Sequence, residues 1–189
     1  MTEIYTSGNE FEAKTAGYEL EHFNCSNDNN DIDDRSGKKG VEAENVTIGN
    51  VGEKIYAFIG LERIGGVMMY DVTNPEKISY ANYINSRDFS ADIAGDDSPE
   101  GLCFISESES VDGNAHLLTA CEVSGTVALY ELTARKQKIR EMSKIRITGR
   151  IRGKDRIQTM DRNPDKEQNQ MHQRPEICRK QQDFSQQLF

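Results

Sequence analysis

The chain has 189 residues, 35% of them hydrophobic, and a formal net charge of -9. That length suits one domain with an appendage, no run of 18 apolar residues is present to cross a membrane, and an acidic surface argues against nucleic-acid binding because it repels phosphate. The charge is unevenly divided: residues 133–189 carry 15 Lys and Arg against 7 Asp and Glu, whereas residues 1–132 carry 8 against 25. Every Phe and Tyr except Phe184 and Phe189 also lies before residue 133. Sign of charge and aromatic content change together, which places a boundary near Leu132.

The opening MTEIYTSGNEFE is acidic and lacks the apolar stretch of a signal peptide. Taken literally, such a chain stays in the cytoplasm, and one truncated upstream would read the same. Residues 1–40 are expected to form an N-terminal strand followed by an Asp-rich loop, NCSNDNNDIDDRS at 24–36. Its Asp28, Asp31, Asp33 and Asp34 offer hard oxygen ligands at close spacing, which suit Ca2+. The Gly and Glu positions of an EF-hand are absent, and a solvated acidic loop is the alternative.

Residues 41–132 contain an internal repeat. YAFIGLERIGGVMMYDV at 56–72 aligns with HLLTACEVSGTVALYEL at 116–132, so Glu62 falls on Glu122, Gly65 on Gly125, Val67 on Val127 and Tyr70 on Tyr130. Each copy reads as strand, Gly-containing turn, strand. Upstream, EAENVTIG at 42–49 matches SPEGLCFI at 98–105, with Glu44 over Glu100. The offsets, 60 and 56, put four extra residues of the second copy into the polar loop ESESVDGN, 107–114. ISYANYI at 78–84 adds a strand after the Asn74-Pro75 turn. Three or four short strands per unit at this spacing indicate propeller blades, with a β-sandwich of two hairpin pairs as the alternative. About four to eight blades close a ring, so two would need the rest of the ring or self-association.

Residues 133–189 read as a basic, low-complexity tail. Ile139, Met142, Ile145 and Ile147 suggest a weakly amphipathic helix over 133–154, and the Gln-rich remainder has too few apolar residues to fold alone.

The repeated acids Glu44, Glu62, Glu100 and Glu122 would meet at one rim, either to hold a cation or to accept turn hydrogen bonds. The candidate metal ligands are therefore Asp31, Asp33, Asp34, Glu44 and Glu100. Arg63 and Arg87 stand beside Glu62 and Asp88 and read as ion-pair members or as anion contacts. Cys103 and Cys121 lie in apolar runs and read as buried small hydrophobes, with no CxxC spacing. His22, His116 and His172 show no zinc spacing, and no nucleophile elbow, Walker loop or HExxH motif is present. Asn24-Cys25-Ser26 and Asn45-Val46-Thr47 fit the glycosylation sequon.

The runs YTSGNEFE (5–12), DDRSGKKGVEAENVTIG (33–49), YAFIGLERIGGVMMYDVTNP (56–75), YINSRDFS (83–90), SPEGLCFIS (98–106) and ACEVSGTVALYEL (120–132) resemble the choice-of-anchor I family. Val41-Glu42-Ala43-Glu44-Asn45 stands where that family carries Pro-Glu-Pro-Glu-Gly. The resemblance implies an extracellular or cell-surface β-propeller of the kind called alkaline-phosphatase-like or mesenchyme-specific cell-surface glycoprotein, and corresponds to its C-terminal part. It implies a binding or structural module, inactive alone, for a phosphate ester or surface ligand. A Ca2+-dependent phosphoesterase is the alternative for a whole propeller. The tail does not share the resemblance.

Overall fold

A computed structural model describes residues 1–133 and the pair Lys144–Ile145. The described chain is mostly β: two four-stranded antiparallel sheets and one α-helix, with no closed barrel among these residues. The first sheet runs in the order β1 (Ala43–Val51), β2 (Lys54–Leu61), β3 (Val67–Asp71), β4 (Ser79–Ile84). The second runs β5 (Pro99–Ile105), β6 (Ala115–Cys121), β7 (Thr126–Leu132), β8 (Lys144–Ile145). Neighbours in sequence are neighbours in space, as short hairpin connections require.

The register repeats with the strands. Phe58 faces Met69 as Leu118 faces Leu129, and Thr47 faces Phe58 as Cys103 faces Leu118. The four extra residues sit in the loop from 106 to 114, against the two-residue turn Gly52-Glu53 in the first sheet. Each sheet also carries the same irregularity. Ala43 and Asn45 pair with successive residues of β2, leaving Glu44 as the extra residue of a bulge. Pro99 and Gly101 do the same with β6, leaving Glu100 extra. A bulge re-aims the side chain it carries.

The two sheets pack against each other through one core cluster. Val51, Phe58 and Val67 of the first meet Phe104, Leu117, Ala128, Tyr130 and Leu132 of the second. The Phe58 and Phe104 rings stack at 6.0 Å between centroids. Closeness here depends on glycine: a Cβ at Gly60 would lie 2.6 Å from the Pro99 carbonyl oxygen. The opposite face of the first sheet (Leu61, Met68, Tyr70, Tyr83) packs on Cys25, Val41 and Phe11.

That second core corrects the expectation for residues 1–40, which hold no strand among them. They form α1 (Glu10–Tyr18) and a turn-rich loop. Glu10 and Glu12 favour the helix start electrostatically. Tertiary contacts hold the helix on the sheet: Phe11 meets Tyr70 edge-on at 5.9 Å, and Tyr70 donates its hydroxyl to Glu10 Oε2 at 2.9 Å. At Lys144–Ile145 the expected helix is also replaced, by backbone pairing with Tyr130 and Leu129 that covers the edge of β7. The rest of the expected tail lies outside the described residues. Among described residues, no helix is long and apolar enough to cross a membrane.

Candidate functional site

The rim begins with two residues in the left-handed conformation, Glu42 (φ 48°) and Ser98 (φ 61°), at equivalent repeat positions. Their carbonyls accept from the N–H groups of Glu62 and Glu122, respectively, at 2.8 and 2.9 Å. One backbone device thus fixes the strand entry, the bulge and the following acid in both sheets. It brings Glu44, Glu62 and Glu100 within electrostatic reach of one another, with Glu122 beside Glu100. Glu100 is held above the usual carboxylate range by the Glu122 charge and a shared hydrogen bond with it, and Glu44 contributes. Desolvation pushes Glu62 up, Arg63 opposes it, and Glu42, Glu44 and Glu100 add to the rise. Carboxyl oxygens of Glu42, Glu44 and Glu62 lie within 4.8 Å of one another.

Glu42 is the buried anchor of this rim. Its carboxylate accepts from Arg35 Nη2 and from Arg63 Nη2, the latter at 3.2 Å, and forms an ion pair with Arg63, whose Nε lies 3.1 Å away. These guanidinium bonds hold its pKa down to about 2. Arg63 also reaches Glu62 at 3.1 Å and donates to Asn27 Oδ1 at 2.8 Å. Asn27 then donates to Glu62 Oε1 at 2.9 Å and to Ser98 Oγ at 3.3 Å, which ties the two sheets together at the rim.

Residues 1–75 match the family model of the choice-of-anchor I domain. The match suggests a cell-surface-associated module. No curated protein and no solved structure matches the chain. The matched segment spans α1, the Asp-rich loop and β1 to β3, so it includes Glu42, Glu44, Glu62, Arg35 and Arg63.

The candidate ligands separate by position. Glu44 joins Glu42 and Glu62, and Glu100 faces Glu122. Asp31, Asp33 and Asp34 are exposed and engaged within their own loop. Ser36 donates to Asp33 Oδ1, Lys38 lies 3.5 Å from Asp34, and the Asp31 N–H donates to Asn29 Oδ1 at 3.0 Å. Among the described residues they join no three-ligand group.

Arg87 pairs with Asp97, not with the neighbouring Asp88 as its position suggested. Both side chains are fully buried, 3.4 Å apart. The guanidinium donates to the carbonyls of Ser26, Arg63, Asn29 and Asp92, clamping the Asp-rich loop to the first sheet. It is a structural hub closed to external anions. Burial raises Asp97 to about 6 although Arg87 opposes the shift. Asn24 of the first sequon is buried as well, 3% exposed, which closes it to modification in the fold. Cys121 is buried and Cys103 half-buried; no disulfide forms among the described residues.

Sequence reasoning missed Glu42, Arg35, Asn27 and Ser98. Glu42 sits two residues before the recurring acid Glu44, and its offset of 56 from Ser98 was the available signal. Arg35 and Asn27 come from the loop and meet the rim only through folding.

Proposed function

We propose that residues 1–132 form part of a choice-of-anchor I β-propeller, with β1–β4 and β5–β7 as neighbouring blades, the second edged by the tail's β8, acting as a binding or structural module at an extracellular surface. The packing direction carries this reading. Leu117, Ala128 and Tyr130 face the first sheet, yet their repeat counterparts Ala57, Met68 and Tyr70 belong to strands whose Met68 and Tyr70 face away from the second sheet. Face-to-back stacking is open-ended, as in repeat architectures, whereas two similar hairpin pairs forming a sandwich would bury equivalent faces. In this division residues 41–132 supply two blades, residues 1–40 cap the first, and residues 133–189 form the basic tail.

Among the described residues, open-ended stacking leaves the outer face of the second sheet without a following sheet. Its Val127 is 47% exposed, and Leu118 and Leu129 are half-buried beside it. Further blades or a second copy would cover this face. The full chain is expected to self-associate in sedimentation velocity, and Val127→Lys to restore the monomer. A strictly monomeric wild-type chain at high concentration counts against the propeller reading.

The rim at Glu44, Glu62, Glu100 and Glu122 is the proposed surface for Ca2+ and, through it, for a phosphate ester or another anionic surface ligand. The proximity of Glu42, Glu44 and Glu62 also supports the second reading, a Ca2+-dependent phosphoesterase. Turnover of a chromogenic phosphate ester that requires Ca2+ and stops with chelator would reject the inactive module. Absence of both turnover and a Ca2+-induced thermal shift would reject the enzyme and the Ca2+ rim together.

A further inference from the structure

A second group of ligand atoms lies on the other sheet, at the base of the longer hairpin. His116 of β6 faces Glu131 of β7 directly across the ladder. Asp112, in the loop before β6, lies four residues upstream. Its Oδ2 is 3.3 Å from His116 Nε2, and ligand atoms of Asp112, His116 and Glu131 all fall within 4.8 Å of one another. The His116 side chain is 6% exposed.

Hydrogen-bond accounting fixes which nitrogen faces the acids. Ser110 has one hydroxyl proton and gives it to Asp112 Oδ1 at 2.6 Å. Its oxygen, 3.2 Å from His116 Nδ1, must then accept from the Nδ1 proton. A neutral ring with its proton on Nδ1 presents the lone pair of Nε2, which lies 3.3 Å from Asp112 Oδ2. In that tautomer His116, Asp112 and Glu131 are three electron-pair donors gathered in one place. The Asn114 N–H donates to Asp112 Oδ1 at 3.0 Å and holds that carboxylate in place.

The separation is informative too. A charge-assisted N–H···O bond runs about 2.7–2.9 Å, shorter than the 3.3 Å found here. Bonds of about 2.0–2.2 Å to a tetrahedral zinc put neighbouring ligand atoms about 3.3–3.5 Å apart.

The repeat provides an internal comparison. Glu131 corresponds to Asp71 of the first sheet, where Lys54 Nζ lies 2.6 Å away and neutralises it. The position of Lys54 is taken by Asn114 in the second sheet, and that of Tyr56 by His116. The ammonium is lost, an imidazole is gained, and the longer hairpin adds Asp112. Among the described residues, no Lys or Arg pairs with Asp112 or Glu131.

We propose that Asp112, His116 and Glu131 bind a zinc-class divalent cation, through His116 Nε2 and the two carboxylates, with a fourth position open to solvent. Mixed nitrogen and oxygen donors favour such a cation, whereas Ca2+ takes six to eight oxygens. Ser110 is the positioning residue that fixes the ring tautomer and Asp112 together.

The test is calorimetric titration of the metal-free full chain with Zn2+, compared with Asp112→Asn, Glu131→Gln and Ser110→Ala. Both carboxamide variants replace solvent-accessible carboxylates by isosteric groups, and far-UV circular dichroism checks that each folds. The wild type is expected to bind one Zn2+ that either carboxamide variant binds at least about tenfold more weakly, with Ser110→Ala weakened about tenfold or more. Excess Ca2+ should not displace it. Zn2+ stoichiometry and affinity unchanged in folded Asp112→Asn or folded Glu131→Gln would overturn the proposal.

Discussion

Replacing Gly49 by alanine tests the contact between the sheets with a reversal of sign. Gly49 lies in β1, opposite Tyr56, and an added Cβ would come within 3.0 Å of three atoms of the Phe104 ring. Phe104 is 4% exposed and stacked on Phe58, so its ring has little room to move away. In an ordinary strand, Gly→Ala stabilises by about 0.5–1 kcal/mol through the entropy of the unfolded chain. Overpacking a tight core costs about 1–3 kcal/mol. The balance is a net loss of about 1–2 kcal/mol, readable as a lower urea midpoint at unchanged slope. Phe104→Leu in the same chain should recover part of that loss, giving a coupling of about 1–2 kcal/mol in a double-mutant cycle. Gly49→Ala at or above wild-type stability, or strict additivity with Phe104→Leu, would refute the described packing.

Asp97 predicts a pH dependence. Its folded-state pKa of about 6 exceeds the unfolded value of about 3.9. The folded state therefore binds more protons between these values, and stability from this group rises as pH falls through that window, by at most about 3 kcal/mol. Asp97→Asn should remove this slope in denaturation curves at pH 7, 5.5 and 4.5; an unchanged difference from wild type across the three would contradict it. Glu42 acts with opposite sign, because its pKa is depressed to about 2. Its contribution is present above about pH 4.3 and lost on acidification toward 2. Glu42→Gln at pH 7 leaves Arg35 and Arg63 without their carboxylate and should cost about 3 kcal/mol, measured by thermal or urea unfolding. Tyr83 is buried, and its hydroxyl donates to the Gly65 carbonyl at 2.7 Å and accepts from Asn85 at 3.0 Å. Tyr83→Phe should cost about 1–3 kcal/mol, with the midpoint shift as readout.

The strands were legible because their information is local. Alternating apolar positions, the Gly65 and Gly125 turns and the two offsets name β1–β7 and their register, and the four-residue surplus falls in the loop where spacing put it. The bulges at Glu44 and Glu100 were legible only as a recurring acid. That both persist, although Ala43 and Asn45 stand where the other copy has Pro99 and Gly101, shows that pairing across the ladder and the Glu42 and Ser98 carbonyls hold the geometry. Proline and glycine are not required there.

Other features depend on partners distant in sequence. The N-terminal stretch became a helix because Phe11 and Glu10 find Tyr70, 60 residues away. Arg87 chose Asp97 over adjacent Asp88 because only Asp97 is buried with it, and a buried charge must be matched where water cannot reach. His116 showed no metal spacing along the chain, since its neighbour Glu131 is 15 residues on and adjacent only through the ladder. By itself, then, the amino-acid sequence determined the repeat, the strand periodicity, the charge boundary near Leu132 and the acids that recur. Tertiary structure decided which of those acids are paired, buried or open to a cation. Periodicity is a property of neighbouring residues, whereas the field at a carboxylate is set by whichever charges and desolvating groups the fold brings within a few ångströms.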